Sequence, residues 1–313
     1  SIPYKFPRSY STNTVASVPV PVPSVSPNPA PSSPKPSPSP AAPPPVDHHI
    51  FVLDLFVNDP HDGWQPTGFP DYLQRNASGY TNVAGISFVQ PSDLLNQEYD
   101  LPAQVASTVQ SLRKQGVNVQ LLIGGEVSTG WSDLTANPQI AATSALRLMH
   151  KYDCGIELDD EAGGNSSGLV KFVELCAAGK PNGTSISIDV AGTPLSYQKA
   201  VLQNAISYLD WVNVMVSTPQ YDQGNSVKYA HAAGVPFDKI TVAYYAGTWV
   251  NNCNSIGSAT NPGDTAAGLA LVKQYGLKGL SIWAVGGASY AHCGTTDAPG
   301  FAAAMKQLEK GTK

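Results

Sequence analysis

Eight short runs of apolar and β-branched residues recur from residue 49 onward, and they limit the possible folds more than any single motif does. In order they are "HIFVLDLFV" (49–57), "NVAGISFVQ" (82–90), "VNVQLLIGG" (117–125), "CGIELDDE" (154–161), "SISIDVAG" (185–192), "WVNVMVS" (211–217), "KITVAYYAG" (239–247) and "LKGLSIWAV" (277–285). Most are apolar nearly throughout, the pattern of strands covered on both faces. Between them lie stretches such as "LPAQVASTVQSLRKQG" and "NPQIAATSALRLMHKY", whose apolar residues recur at three and four, with Pro near the start. Covered strands separated by helices imply a parallel sheet. Eight such units in roughly 265 residues match an α/β fold of the (β/α)8 TIM-barrel type. An open doubly wound sheet is the alternative, but the fingerprint G-x-G-x-x-G expected after its first strand is missing.

The chain ahead of these runs has a different texture. Residues 16–46 hold about half of the 27 prolines and almost no charged or aromatic group. Such a segment cannot form a core and is expected to be a disordered, extended spacer, either a tether or a leader without a task. The expected organisation is therefore a Pro/Ser-rich segment over 1–47 and a catalytic barrel over 48–313. The first residue is Ser, so a processed N-terminus is expected. No apolar run is long enough to span a bilayer, which argues against a membrane protein. With 13% charged residues and a net charge of −5, no basic stripe is available for nucleic acid.

Four cysteines, Cys154, Cys176, Cys253 and Cys293, form an even set without a C-x-x-C pair. That suits two disulfides in a secreted protein better than zinc. The preferred pairs are Cys154 with Cys176 and Cys253 with Cys293, each joining neighbouring elements; four buried free thiols are the alternative. Sequons at Asn76, Asn165 and Asn182 agree with secretion, and the Pro/Ser-rich segment is of the sort that tethers a module to a cell wall. His48 and His49 precede the first strand with no third ligand in view, so a surface position is expected rather than a metal site.

Barrel chemistry sits at the C-terminal ends of the strands, where the fourth run ends in Glu157, Asp159, Asp160 and Glu161. Alternation puts Glu157, Asp159 and Glu161 on one face and Asp160 on the other. If that face is the interior, the three acids form a column with Glu161 nearest the mouth. Repulsion should keep at least one proton on it near neutral pH, giving an acid able to protonate a leaving group. Asp160, facing outward, is expected to cap backbone or meet a cation. A calcium or metal-nucleotide site is the competing use of such a cluster, but no phosphate-binding loop accompanies it.

"CGIELDDE" resembles the D-x-x-D-x-D-x-E signature of glycoside hydrolase family 18, the chitinases and endo-β-N-acetylglucosaminidases. Gly155, Asp159 and Glu161 match, whereas Cys154 and Glu157 stand where that pattern has Asp. The "DDE" followed by a small, Gly-rich stretch is closer to the Endo H-like enzymes. "LLIGG", ending at Gly124 and Gly125, is similar to the family's strand-three S-x-G-G, and "DWVNVMVS" resembles its strand-six D-x-x-N-x-M-x-Y. Ser217 replaces the tyrosine of that motif, with Gln220 and Tyr221 nearby in "STPQYDQ". Trp283 falls where the family's strand-eight tryptophan floors a sugar subsite.

The resemblance implies substrate-assisted, retaining hydrolysis of β-1,4-linked N-acetylglucosamine, in chitin oligomers or the N-glycan core, with no metal or organic cofactor. Glu161 would be the acid, Asp159 would hold the acetamido group and stabilise the oxazolinium charge, and Glu157 would set the proton on Asp159. Asn213, Met215, Tyr245 and Trp249 join Trp283, Gln220 and Tyr221 as candidate substrate contacts, though barrel packing also accounts for Asn213 and Met215. Alternation lets only one of Tyr244 and Tyr245 face the site. The barrel has few insertions, so a shallow cleft in a monomer is expected. A sugar-binding lectin that has lost turnover is the alternative function.

Overall fold

The computed structural model describes residues 49–56, 81–125, 128–216, 222–245 and 262–285. Its eight strands are β1 (Ile50–Phe56), β2 (Thr81–Val89), β3 (Asn118–Gly124), β4 (Gly155–Asp159), β5 (Ile186–Ala191), β6 (Trp211–Met215), β7 (Ile240–Tyr245) and β8 (Gly279–Val285). Every neighbouring pair is parallel, and β8 returns to pair with β1, from Ile50 opposite Gly279 to Leu55 opposite Val285. The sheet is thus a closed barrel, and the eight runs seen in the sequence are its staves. The Pro/Ser-rich segment lies outside the described residues.

Helices cover the outside. They are α1 (Ala103–Lys114), α2 (Trp131–Ala136), α3 (Pro138–Tyr152), α4 (Ser166–Gly179), α5 (Ser196–Ala205), α6 (Gln223–Ala232) and α7 (Pro262–Tyr275). α3 starts at a proline, whose fixed φ and missing N–H suit a first helical turn. It buries Ala141, Ala145, Leu148, Met149 and Tyr152 along one face. These side chains and their counterparts on α1 and α4 meet the outward residues of the strands, such as Leu121, Ile123, Ile156 and Leu158, in the main hydrophobic core. Burial on both faces is why the strands read as apolar runs.

Inside the barrel a second, small cluster of Ile50, Val52, Val83 and Trp211 closes the bottom. Above it the filling turns polar: Gln120, Ser187, Asn213, Thr241 and Ser281 are all buried, as are the acids Asp54, Glu157, Asp159 and Asp189. Barrel interiors are ordinarily filled by Val, Ile and Leu. A polar layer in that place marks the site.

Two expectations are corrected. Cys154 and Cys176 are buried free thiols rather than a disulfide. Cys154 sits before β4 and Cys176 on α4, each packed as a small apolar group, and burial pushes the Cys154 thiol up to about 12 and raises that of Cys176 as well. Cys253 and Cys293 lie outside the described residues. His49 is buried rather than on the surface, its Nδ1 3.2 Å from the Leu277 carbonyl oxygen. Its burial lowers the imidazole pKa.

Candidate active site

β4 carries the acids into the barrel. Its odd positions face inward, so Glu157 is fully buried and Asp159 nearly so. The strand ends at Asp159, two residues before Glu161, which stands exposed on the following loop. Burial and the charge of Asp189 raise the Asp159 carboxyl most, and Glu161, when ionised, adds to that shift.

Two turns place this strand end. β3 finishes at Gly124, whose φ of 115° favours glycine, and a Cβ there would stand 2.2 Å from the Asp159 carbonyl oxygen and 2.6 Å from the Trp131 ring. The next glycine donates its N–H to that same carbonyl, Gly125 N to Asp159 O at 2.9 Å. The Gly124–Gly125 pair is therefore a close-approach device. On the other side Asp160 points outward and caps backbone, accepting the N–H groups of Ala162 (3.1 Å), Gly163 (2.9 Å) and Gly164 (3.1 Å). The Tyr197 hydroxyl donates to the Asp160 carbonyl oxygen. Asn165, a sequon residue, caps α4 by accepting from Ser167 N at 3.1 Å. The loop that bears Glu161 is pinned at both ends.

Asn213 on β6 ties the interior together. Its Nδ2 donates to Glu157 Oε1 at 2.6 Å and to Asp189 Oδ1 at 2.7 Å, while its Oδ1 accepts from the Thr241 hydroxyl. Burial, then the charge of Asp189, pushes the Glu157 and Asp159 carboxyls well above the ordinary carboxylate range. Asp54 on β1 is raised for the same two reasons, although the Ser281 hydroxyl bonds to it. Asp189 itself is pushed by burial up to about 6, held there by hydrogen bonds from Asn213 and Glu157. Asp54 and Asp189 are site residues that the sequence motif does not contain. Each is a lone acid at an inward position of an apolar strand, and that parity is the signal that could have found them.

The other candidates divide. Met215 is half-buried at the end of β6, and Trp283 is half-buried near the end of β8, its backbone paired with that of Tyr245. Tyr244 faces outward, its hydroxyl donating to Gln223 Oε1 at 2.7 Å. The Tyr245 side chain, Ser217, Gln220, Tyr221, Trp249 and the sequon residue Asn76 lie outside the described residues. Asn182 is exposed in the turn before β5. Asp210, first residue of the strand-six motif, is structural: at the bottom of the barrel it accepts from Ile186 N at 2.8 Å and pairs with Lys180 at 2.7 Å. Among the described residues, no group of three or more His, Cys, Asp or Glu side chains is arranged to hold a metal ion. No described helix is long and apolar enough to cross a membrane.

Solved structures similar to this chain include a chitinase from Rhizomucor miehei, which superposes with a TM-score of 0.63 at 15% identity over 82% of this chain and 99% of that one. A glycoside hydrolase family 18 N-acetylglucosaminidase from Paenibacillus barengoltzii gives 0.60 at 15%, over 83% and 99%. A family 18 chitinase from Cycas revoluta, solved in complex with (GlcNAc)3, gives 0.57 at 14%, over 84% and 99%. This chain shares their fold. No family model and no curated protein matches it in sequence. With identities this low, the barrel is common to these chains while nearly all of the side chains differ. The chemistry must therefore come from the site itself.

Proposed function

We propose that the chain is a glycoside hydrolase of the family 18 type, cleaving β-1,4 bonds of N-acetylglucosamine in chitin oligomers or the N-glycan core. The observation that carries this is the column at the mouth of the barrel: exposed Glu161 above buried Asp159, whose carboxyl is pushed well above the ordinary carboxylate range by burial and by the charge of Asp189. An acid facing solvent over a protonated, desolvated partner is the arrangement that general-acid cleavage needs. The shared fold and the (GlcNAc)3 bound by the Cycas revoluta chitinase support the choice of sugar.

On this reading the carbonyl oxygen of the substrate's own acetamido group attacks the anomeric carbon. The glycosidic C–O bond breaks, and its electron pair takes the proton of Glu161. Asp159 faces the positive charge that develops on the oxazolinium ring. Glu161, now ionised, takes a proton from the water that opens the ring, so configuration is retained and the acid is restored. Secretion belongs to the same proposal and rests on the Pro/Ser-rich segment and the sequons, since the two described thiols are free.

Mass analysis of the products from chitotetraose and from a high-mannose glycoprotein tests this. Release of N-acetylglucosamine oligomers, or of a glycan cut between its two core sugars, is expected. If both substrates stay intact over days, hydrolysis is ruled out; sugar binding that survives alone would mark a lectin.

A further inference from the structure

Glu161 lies two residues beyond the end of β4, so strand pairing does not reach it. The two backbone carbonyls that precede it are each held from another part of the fold. Asp159 O accepts Gly125 N at 2.9 Å on the β3 side, and Asp160 O accepts the Tyr197 hydroxyl on the α5 side. Peptide units are planar and the chain turns only at its Cα atoms, so holding these carbonyls orients the two planes that lead into Glu161. The second plane ends at the Glu161 Cα itself. Of the two anchors, only that second one is a side chain.

Tyr197 stands on a fixed mount. It is the second residue of α5, and the next one, Gln198, is buried and accepts with Oε1 the N–H groups of Ala191 (3.3 Å) and Leu195 (3.0 Å), which closes the connection from β5 to α5. The tyrosine ring rests against the loop after β4. A Cβ on Gly163 would lie 3.4 Å from its Cε1 and 3.6 Å from its Cδ1, ordinary contact distances. Burial, then the charges of Asp160 and Asp159, raises the phenol, so it keeps its proton and remains a donor.

We propose that Tyr197 is a positioning residue for the acid: its hydroxyl, by holding the carbonyl of the peptide unit that joins Asp160 to Glu161, sets the direction in which the Glu161 carboxyl leaves the loop. This rests on the hydrolytic function proposed above. The other ties act elsewhere on the loop. The Asp160 carboxylate folds it on itself through Ala162, Gly163 and Gly164, and Thr135 Oγ1 holds its far end by accepting Asn165 N at 3.3 Å. Tyr197 holds the end next to the acid.

Tyr197→Phe tests this, since it removes the hydroxyl and leaves the ring against Gly163. The full chain is assayed on two substrates that differ in their need for an acid. A sugar leaving from chitotetraose must be protonated, whereas dinitrophenolate leaving from dinitrophenyl β-chitobioside departs without a proton. In the variant, kcat/KM on chitotetraose should fall about tenfold with KM within about twofold of wild type, because a small misplacement of the acid costs rate rather than binding. On the dinitrophenyl glycoside the fall should stay under about twofold. A purely structural tyrosine would lower both alike, so equal losses, or full activity on both substrates, overturn the proposal. NMR of the chain labelled with carbon-13 and nitrogen-15 reads the clamp without turnover: the Asp160 carbonyl carbon and the Glu161 amide should shift in Tyr197→Phe. If the wild type leaves both glycosides intact, the hydrolase function falls; shifted signals then leave the clamp on the loop standing, and unshifted signals overturn it.

Discussion

At the scale of single residues, the site separates groups that do chemistry from groups that make room for it. On the proposed function Glu161 is the acid, so Glu161→Gln is expected to lower kcat on chitotetraose by about 10²–10⁴-fold while calorimetry shows sugar binding retained. Equal loss of binding and rate would instead place Glu161 in substrate affinity. Gly85 makes room. A methyl group there runs into Asp54 Oδ1 at 2.0 Å, and Asp54, 3% exposed inside the barrel, has nowhere to withdraw. Gly85→Ala should therefore destabilise the fold by about 1–3 kcal/mol, measured by urea unfolding. An unchanged midpoint would mean that the interior is looser than the close contacts imply. The two substitutions act on different links of one chain: the first removes a proton, the second the space in which buried acids can meet.

Elements set how much of this can be read from sequence. The strands are legible because two buried faces leave an apolar signature in every stave, and each observed strand falls inside or within a residue of its run. The column on β4 is legible because alternation is fixed by the pleat. Asp54 and Asp189 escape because motif reading follows one strand at a time, whereas their meaning comes from closure, which brings β1 and β5 to the same interior as β4. The cysteine pairing fails for a related reason: proximity of β4 and α4 says nothing about which way each thiol packs, and both turn into the core. The loop after β4 is the element on which position matters most. Asp160→Ala takes the acceptor from three backbone N–H groups, and the expected result is a loss of about 1–3 kcal/mol in unfolding free energy. Since Glu161 rides on that loop, turnover should also fall, by up to roughly 10²-fold, with KM near the wild-type value. A variant of full kcat would show that the loop holds Glu161 without this cap.

For the whole molecule, the acids inside the barrel make stability depend on pH in an unusual direction. In the unfolded chain Asp189 ionises near 3.8; in the fold, burial moves it to about 6, and burial likewise raises Asp54, Glu157 and Asp159 well above their ordinary values. The native state thus holds protons that the unfolded state has released. A carboxyl raised in this way contributes its stability fully below the unfolded value and loses it as pH climbs through the folded one. For Asp189 the difference is on the order of 3 kcal/mol. The exposed Asp100, lowered chiefly by its bond to Lys151, acts in the opposite sense, but solvent screens it and its window lies at more acid pH. Melting temperature is therefore expected to fall from about pH 4 through about pH 6, and D189N should flatten that slope. A barrel that grows steadily more stable over this range would mean that its interior acids are ionised and paired. A falling curve would fit a fold that keeps uncompensated acids in its centre, where Val, Ile and Leu would pack more stably, because the reaction at its mouth needs them.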